Sequence, residues 1–244
     1  MTNILTVKTN SNIIPMTSAT VNQLHKAGFT RSQIVKMKHL SPHTAVDPIK
    51  SLDEIQKIKE YFTAQKTTYR NNNLNIRNNA IFILNINIGL RASDLLNLHI
   101  YDIINSNLTF KDECTIIESK TGKNKTFNIC SNAQEAIAIY LKTRPNFKLD
   151  EYLFISKKTN DKMTVRALNY VLTKMAKDVG LSEHIASHSL RKTMGYQKLM
   201  KHKEDVYFIS TIQEMYNHSS QKTTLRYLGI NKEVKKDVYL NDQL

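Results

Sequence analysis

Apolar positions recur at helical spacing along most of the chain beyond residue 50. Leu52, Ile55, Ile58, Tyr61 and Phe62 form a stripe on one face of a helix that Ser51 can cap, with Glu54 three residues on as its capping-box partner. Arg77 to Ile88 predicts a second helix ended by Gly89, and Ser93 is placed to cap a third that carries Leu95, Leu96 and Leu98, so Arg91 falls in the joint between them. Helical patterns resume over 132–142, 164–179 (closed by Gly180), 188–200, 204–216 and 220–228. Two β-like runs, 113–119 (ECTIIES) and 125–130 (KTFNIC), flank a turn around Thr121, Gly122 and Lys123, which predicts a hairpin with Lys120 at its tip. A hairpin symmetric about Gly122 sets Cys114 opposite Cys130. YLFIS at 152–156 reads as a further short strand. The expected fold class is mainly α (α+β), a helical body with one small antiparallel β element.

The pattern is different before residue 48. The first dozen residues are polar and rich in Asn and Thr, which suits a poorly ordered end. Thr17 to Ala27 and Ser32 to His39 read as two short helices around Gly28, and Pro42 and Pro48 mark a linker. Three parts follow: a short helical segment with linker at 1–47, a main domain at 48–230, and a tail at 231–244. In the tail Val234, Val238, Tyr239 and Leu240 have the spacing of a short helix.

Charge narrows the partners. The 244 residues hold 35 Lys and Arg against 21 Asp and Glu, a formal net charge of +14. The pI of about 9.6 falls in the range of polyphosphate-binding proteins, so nucleic acid is the first partner to consider. The two cysteines form neither a CxxC pair nor a zinc-ligand pattern, and His184 and His188, four apart, lack an acidic third ligand, so no metal is expected. Ala80 to Leu84, the most apolar stretch, falls far short of the ~20 residues of a membrane helix. The N-terminus carries no secretion signal, and a cytoplasmic protein without membrane attachment is expected.

Four separated segments carry chemistry. They are Gly89-Leu90-Arg91-Ala92-Ser93-Asp94, Ser119-Lys120-Thr121-Gly122-Lys123, His188-Ser189-Leu190-Arg191, and the run from Asn217-His218 to Tyr227, which lies nine residues after the histidine. Two guanidinium forks can hold the oxygens of an attacked phosphodiester bidentately without a metal. His188 and Arg191, three apart, share a helix face. Tyr227 needs cationic surroundings to lose its proton, and His218 can donate a hydrogen bond or assist proton transfer.

In this order and spacing, over roughly residues 50 to 230, the segments resemble the tyrosine recombinase (phage integrase) family. The resemblance implies a site-specific DNA recombinase that cleaves and rejoins double-stranded DNA through a 3′-phosphotyrosine, with no cofactor. It implies a catalytic set of Arg91, Lys120, His188, Arg191, His218 and Tyr227, with Asp94 orienting Arg91 or capping its helix. Lys120 is the candidate general acid for the departing 5′-oxygen, and Lys123 or Lys125 could replace it. Lys123, Lys125, Lys192 and Lys222 are candidate DNA contacts. The implied assembly is a tetramer on two duplexes, from a protein monomeric when free, with a DNA-bending accessory protein as a further partner. Three departures stand out: Asn217 where the family usually has glycine, a gap of 27 positions from Arg191 to His218, and fewer than 50 residues before the catalytic region. Two other readings share these residues: a topoisomerase-like nicking and closing enzyme, and a non-catalytic DNA-binding protein for which Tyr227 is not needed.

Overall fold

The computed structural model describes residues 5–9, 12–16, 46–64, 69–182 and 184–230. The chain divides into two compact units, Met1–Val46 and Asp47–Leu244. In the first, β1 (Leu5–Thr9) and β2 (Asn12–Met16) pair antiparallel, with Leu5 opposite Met16 and Thr9 opposite Asn12. The expectation of a poorly ordered first dozen residues is corrected here: residues 5–9 pair strand to strand with 12–16, so backbone hydrogen bonding orders these stretches. The expected helices at 17–27 and 32–39, the linker from Ser41 and the tail at 231–244 lie outside the described residues, apart from the linker's last residues.

The second unit is built from helices. They are α1 (Leu52–Ala64), α2 (Tyr69–Ile88), α3 (Ala92–Asn97), α4 (Ile100–Ile103), α5 (Ser131–Lys142), α6 (Val165–Val179), α7 (Ser187–Lys201), α8 (Phe208–Met215) and α9 (Gln221–Leu228). Between α4 and α5 stands one hairpin, β3 (Cys114–Ile117) with β4 (Asn124–Phe127). Most helix ends follow the caps in the sequence. Ser51 Oγ accepts from the amides of Asp53 and Glu54, Thr164 caps α6, and Ser220 caps α9. Gly180 and Gly229 close α6 and α9 in left-handed conformation.

Other boundaries differ from expectation. Helix α2 begins at Tyr69 rather than Arg77, its first turns an Asn-rich stretch of low intrinsic helix propensity that no apolar stripe marks in the sequence. Arg91, not Ser93, is the N-cap of α3, with φ −63 and ψ 147. Ser93 sits inside the helix, since the chain enters it directly from the Gly89 turn. Residues 152–156 make only isolated bridges, Tyr152 with His99 and Ile155 with Lys162, rather than a strand. Helix α8 starts at Phe208 instead of 204, so the longer gap before His218 is taken up by the loop after α7.

The hairpin register also corrects the sequence reading. Cys114 pairs with Phe127 and Ile117 with Asn124, so the turn runs over six residues, Glu118–Lys123, and is centred between Lys120 and Thr121 rather than on Gly122. Cys130 is therefore out of register with Cys114. It stands exposed at the N-cap of α5, while Cys114 is buried, and both are free thiols.

Two apolar clusters hold this unit. The large one gathers α1 to α6 and the start of α7, with Ile58, Phe82, Leu95, Ile103 and Phe154 fully excluded from solvent. At about 25 cal/mol per Å² of apolar area removed from water, burial of this extent is what holds the helices in place. The smaller cluster, Met194, Leu199, Ile212, Tyr216, Leu228 and Ile230, ties α7, α8 and α9 together. Thr193 Oγ1 accepts from the Ile49 amide at 2.8 Å, which anchors the entry into this unit on α7.

Candidate active site

The four chemistry-bearing segments converge where the hairpin meets α3, α7 and α9. Gly89 makes this approach possible. It holds φ +63, and a Cβ there would fall 2.3 Å from Met194 Cε, so glycine alone fits the turn that brings Arg91 beside α7. Its carbonyl accepts a hydrogen bond from Arg191 Nη1.

Arg191 is buried, and its guanidinium lies over the ring of Tyr216 at 4.4 Å from the centroid, with Nη2 donating to the Tyr216 carbonyl at 3.4 Å. Tyr216 itself is fully buried and donates its hydroxyl proton to the Arg191 carbonyl. Its ring stands edge-on to Tyr227 at 5.5 Å and tilted against His218 at 5.2 Å. His218 and Tyr227 are also edge-to-face, with centroids 5.2 Å apart. One tyrosine thus backs three of the expected site residues. Tyr216 ends the apolar helical run expected over 204–216 and is a buried core tyrosine, but nothing in that pattern marks its position under Arg191. The signal was its place two residues before His218.

Arg91 is partly exposed and meets the buried carboxylate of Glu118 at 2.5 Å, with Asp94 Oδ2 at 3.9 Å. Asp94 Oδ1 accepts from the Ser119 amide at 2.9 Å, so Asp94 ties α3 to the hairpin turn as well as facing Arg91. Glu118 also accepts from Thr121 Oγ1 at 2.7 Å and from Asn217 Nδ2 at 3.1 Å. Burial raises the Glu118 pKa, but the bonds from Arg91, Thr121 and Asn217 together with the Arg91 charge outweigh it and hold it at about 2. Asn217 takes φ +54, the left-handed conformation expected of it. Glu118 went unremarked in the sequence, yet Cys114, Ile116 and Glu118 alternate on the inward face of β3, and an acid on that face is a signal.

Of the hairpin lysines, Lys120 and Lys123 are exposed, whereas Lys125 is buried and donates to the Met215 carbonyl. Burial, then the charges of Arg191 and Arg91, lower its pKa to about 8. Lys120 is near enough to His188 that its charge helps depress that imidazole. His188 keeps an exposed edge at the rim; the protein around its base lowers its pKa first, followed by Arg191, Lys192, Arg91 and Lys120. His218 donates to or accepts from Thr224 Oγ1 at 3.0 Å, and burial followed by Arg191 and Arg91 lowers its pKa. Lys192 lies over the Tyr227 ring at 5.2 Å, and Lys222 is exposed on α9.

Tyr227, half-buried, corrects one expectation. Its cationic neighbours are present, since Arg191 lowers its pKa by charge and by hydrogen bond and Arg91 by charge, but burial dominates and raises the value above that of free tyrosine.

The arrangement gathers a tyrosine, two arginines, two histidines and lysines, groups able to bind a phosphodiester and supply a nucleophile and proton carriers. The profile of the phage integrase family matches residues 51–233. A probable integrase/recombinase, YoeC of Bacillus subtilis, is 35% identical over 194 residues, covering 80% of this chain and 95% of that protein. The tyrosine recombinase XerA of Pyrococcus horikoshii is 31% identical over 159 residues, 64% of this chain but only 51% of that protein. Among solved structures, a XerA recombinase superposes with TM-score 0.59 at 19% identity, covering 94% of this chain and 84% of that one. A XerH recombinase bound to a palindromic difH substrate superposes with TM-score 0.61 at 18% identity, covering 84% and 56%. The chain belongs to the phage integrase family. It is a DNA strand-transferring enzyme of the tyrosine recombinase kind.

Proposed function

We propose that Tyr227 is the nucleophile and that Arg91, Lys120, His188, Arg191 and His218 serve it. In this reading Arg91 and Arg191 grip the non-bridging oxygens of the scissile phosphate, where negative charge grows as the pentavalent centre forms. Both histidines are biased toward the neutral form, which suits them to take the Tyr227 proton. The Tyr227 oxygen bonds to phosphorus, the bond to the 5′-oxygen breaks, and Lys120 gives that oxygen a proton. The 3′-phosphotyrosine is then attacked by a 5′-hydroxyl of another strand, which releases the tyrosine and rejoins the DNA without an external energy source. DNA binding supplies the missing step for Tyr227: a phosphate seated on the arginines brings the reacting centre to the phenol as its proton leaves.

The single observation that carries this reading is the packing of Tyr227 against His218 and Tyr216 beside the buried Arg191. Lys125 enters as a rival to Lys120, because it is buried against the site rather than exposed as a backbone contact. We assign Lys125 to shaping the field around Arg191 and keep Lys120 as the acid, since it is exposed at the hairpin turn and its charge reaches His188. Asp94 orients Arg91, and Lys123, Lys192 and Lys222 contact DNA phosphates. Residues 48–230 form the catalytic domain, 1–47 a short N-terminal segment, and 231–244 a tail that docks on a neighbouring protomer. The assembly is a tetramer on two duplexes in the cytoplasm, encoded by a phage or mobile element and helped by a DNA-bending protein.

The test uses nicked suicide substrates drawn from DNA flanking the gene. Wild type is expected to leave a covalent protein–DNA adduct on a denaturing gel, and Tyr227→Phe none while still binding the DNA. An adduct of equal yield in Tyr227→Phe would refute the assignment. Relaxation of supercoiled DNA without recombinant product would mark the enzyme as a topoisomerase-like nicking and closing activity.

A further inference from the structure

We propose that Glu118 is a positioning residue that couples the Lys120 turn to the Arg91 phosphate grip and to the loop carrying His218. The inference rests on the roles given above for Arg91 and Lys120. Glu118 has its main chain in the turn and its side chain in the site. Its amide donates to the Lys123 carbonyl at 2.9 Å, and its carbonyl accepts from the Gly122 and Thr121 amides at 2.9 and 3.3 Å. The loop that presents Lys120 is therefore closed on Glu118 itself. Its side chain leaves the turn, is wholly excluded from water, and meets Arg91 at 2.5 Å, Asn217 at 3.1 Å and Thr121 at 2.7 Å. Three of the four chemistry-bearing segments end on one carboxylate.

The chemistry requires a carboxylate there. Thr121 and Asn217 donate hydrogen bonds to it and the Arg91 guanidinium forms an ion pair with it, and an ionised carboxyl offers only acceptors. A buried charge is tolerable only when paired and hydrogen-bonded, and here a guanidinium and two neutral donors meet that need. Glutamine has the same shape but must turn an NH2 toward one of those donors. Asp94 does not duplicate the role: it is 3.9 Å from Arg91, and its hydrogen bond goes to the Ser119 amide. A shift of the hairpin thus moves Arg91 and Lys120 together. The phosphate grip and the proton donor are set as one unit.

The experiment compares two substrates in the adduct assay, one ordinary and one with sulfur in place of the 5′-bridging oxygen at the scissile phosphate. A thiolate leaves without a proton, so the sulfur substrate bypasses the general acid and leaves the need for phosphate grip untouched. On the ordinary substrate Glu118→Gln is expected to slow adduct formation about 100-fold, the scale of one displaced preorganised donor. On the sulfur substrate Lys120→Ala should recover fully, and Glu118→Gln only in part, the residue of its defect reflecting a displaced Arg91. Glu118→Asp keeps the charge and should regain part of the ordinary rate, and DNA affinity and a melting curve report that each variant is folded. A wild-type rate for Glu118→Gln overturns the proposal. So does an equal defect on both substrates, which would confine Glu118 to Arg91. If Lys120→Ala shows no recovery, the acid assignment falls and the coupling with it; if wild type forms no adduct at all, the underlying reading falls first.

Discussion

Substituting alanine for Gly195 puts a methyl group where the structure has the Tyr216 hydroxyl. An added Cβ would stand 2.4 Å from Tyr216 Oη and 2.9 Å from both Tyr216 Cε2 and Leu228 Cδ2, against 3.4–4 Å for ordinary contact. The ring cannot swing away freely, because its hydroxyl is bonded to the Arg191 carbonyl and its faces and edges meet Arg191, His218 and Tyr227. Alanine gains about 1 kcal/mol of helix propensity over glycine, and overpacking costs roughly 1–3 kcal/mol, so the net loss stays near 2 kcal/mol or less. A domain stable by about 5–15 kcal/mol remains folded after such a loss. Activity has no such margin: displacing Tyr216 by about 1 Å carries Arg191 and Tyr227 with it, and a shift of that size lowers a rate by about 100-fold. Adduct formation and thermal unfolding, measured on the same preparation, separate the two effects. Tyr216→Leu should slow wild type yet speed Gly195→Ala, a reversal of sign that marks the two positions as coupled. Gly195→Ala with wild-type rate and an unchanged melting curve would show that the ring has room to spare, and the reasoning would fail.

Arg191→Lys keeps the charge but loses the planar fork bonded to Gly89 and lying over Tyr216; adduct formation should fall about 100- to 1000-fold while DNA affinity, measured by filter binding, changes little. The adduct rate should hold as pH drops through 6.5 and decline only below it, because His188 and His218 both titrate below that ordinary value; a midpoint above 6.5 contradicts the assignment. Lys125 titrates near 8 in the folded protein and at 10.5 otherwise. The unfolded chain then binds the extra proton between those values, so stability attributable to this residue rises with pH across that window, by at most about 1.4 kcal/mol per unit. Urea unfolding of wild type against Lys125→Met at pH 7.5 and 9.5 should show the difference moving in favour of wild type; a constant difference excludes a buried, depressed lysine.

The sequence made the helical body legible wherever local chemistry marks an end. Ser51, Thr164 and Ser220 cap, Gly180 and Gly229 close, and the apolar stripes between them pack as expected except at Leu52, which sits in the first helical turn and is exposed. The candidate site residues were singled out by their order and spacing, and the structure brings Arg91, Lys120, His188, Arg191, His218 and Tyr227 into one region. What stayed hidden depends on register and on partners distant in sequence. The turn at the hairpin is longer than a glycine-centred one, which moves Phe127 rather than Cys130 opposite Cys114. The same register turns Lys125 inward, where alternation along β4 alone leaves the choice of face open. Glu118 and Tyr216 gain their roles from Arg91 and Arg191, 27 and 25 positions away, and no local pattern specifies such a meeting.

The two arginines are held by different means. Arg91 leans on a carboxylate, so much of its positive field is spent inside the protein before any ligand arrives. Arg191 is fixed by two carbonyls and an aromatic face, neutral groups that orient the guanidinium without cancelling it. Under the proposed roles the second arginine would therefore meet the phosphate as a nearly whole cation in a water-poor setting, and the first as a polarised arm. A diester carries one negative charge at rest and gains more only as the nucleophile closes in. On the proposed roles, the uncancelled arginine would answer that growing charge most strongly, and Arg191 would be the part of the site that distinguishes a phosphate being cut from one merely bound.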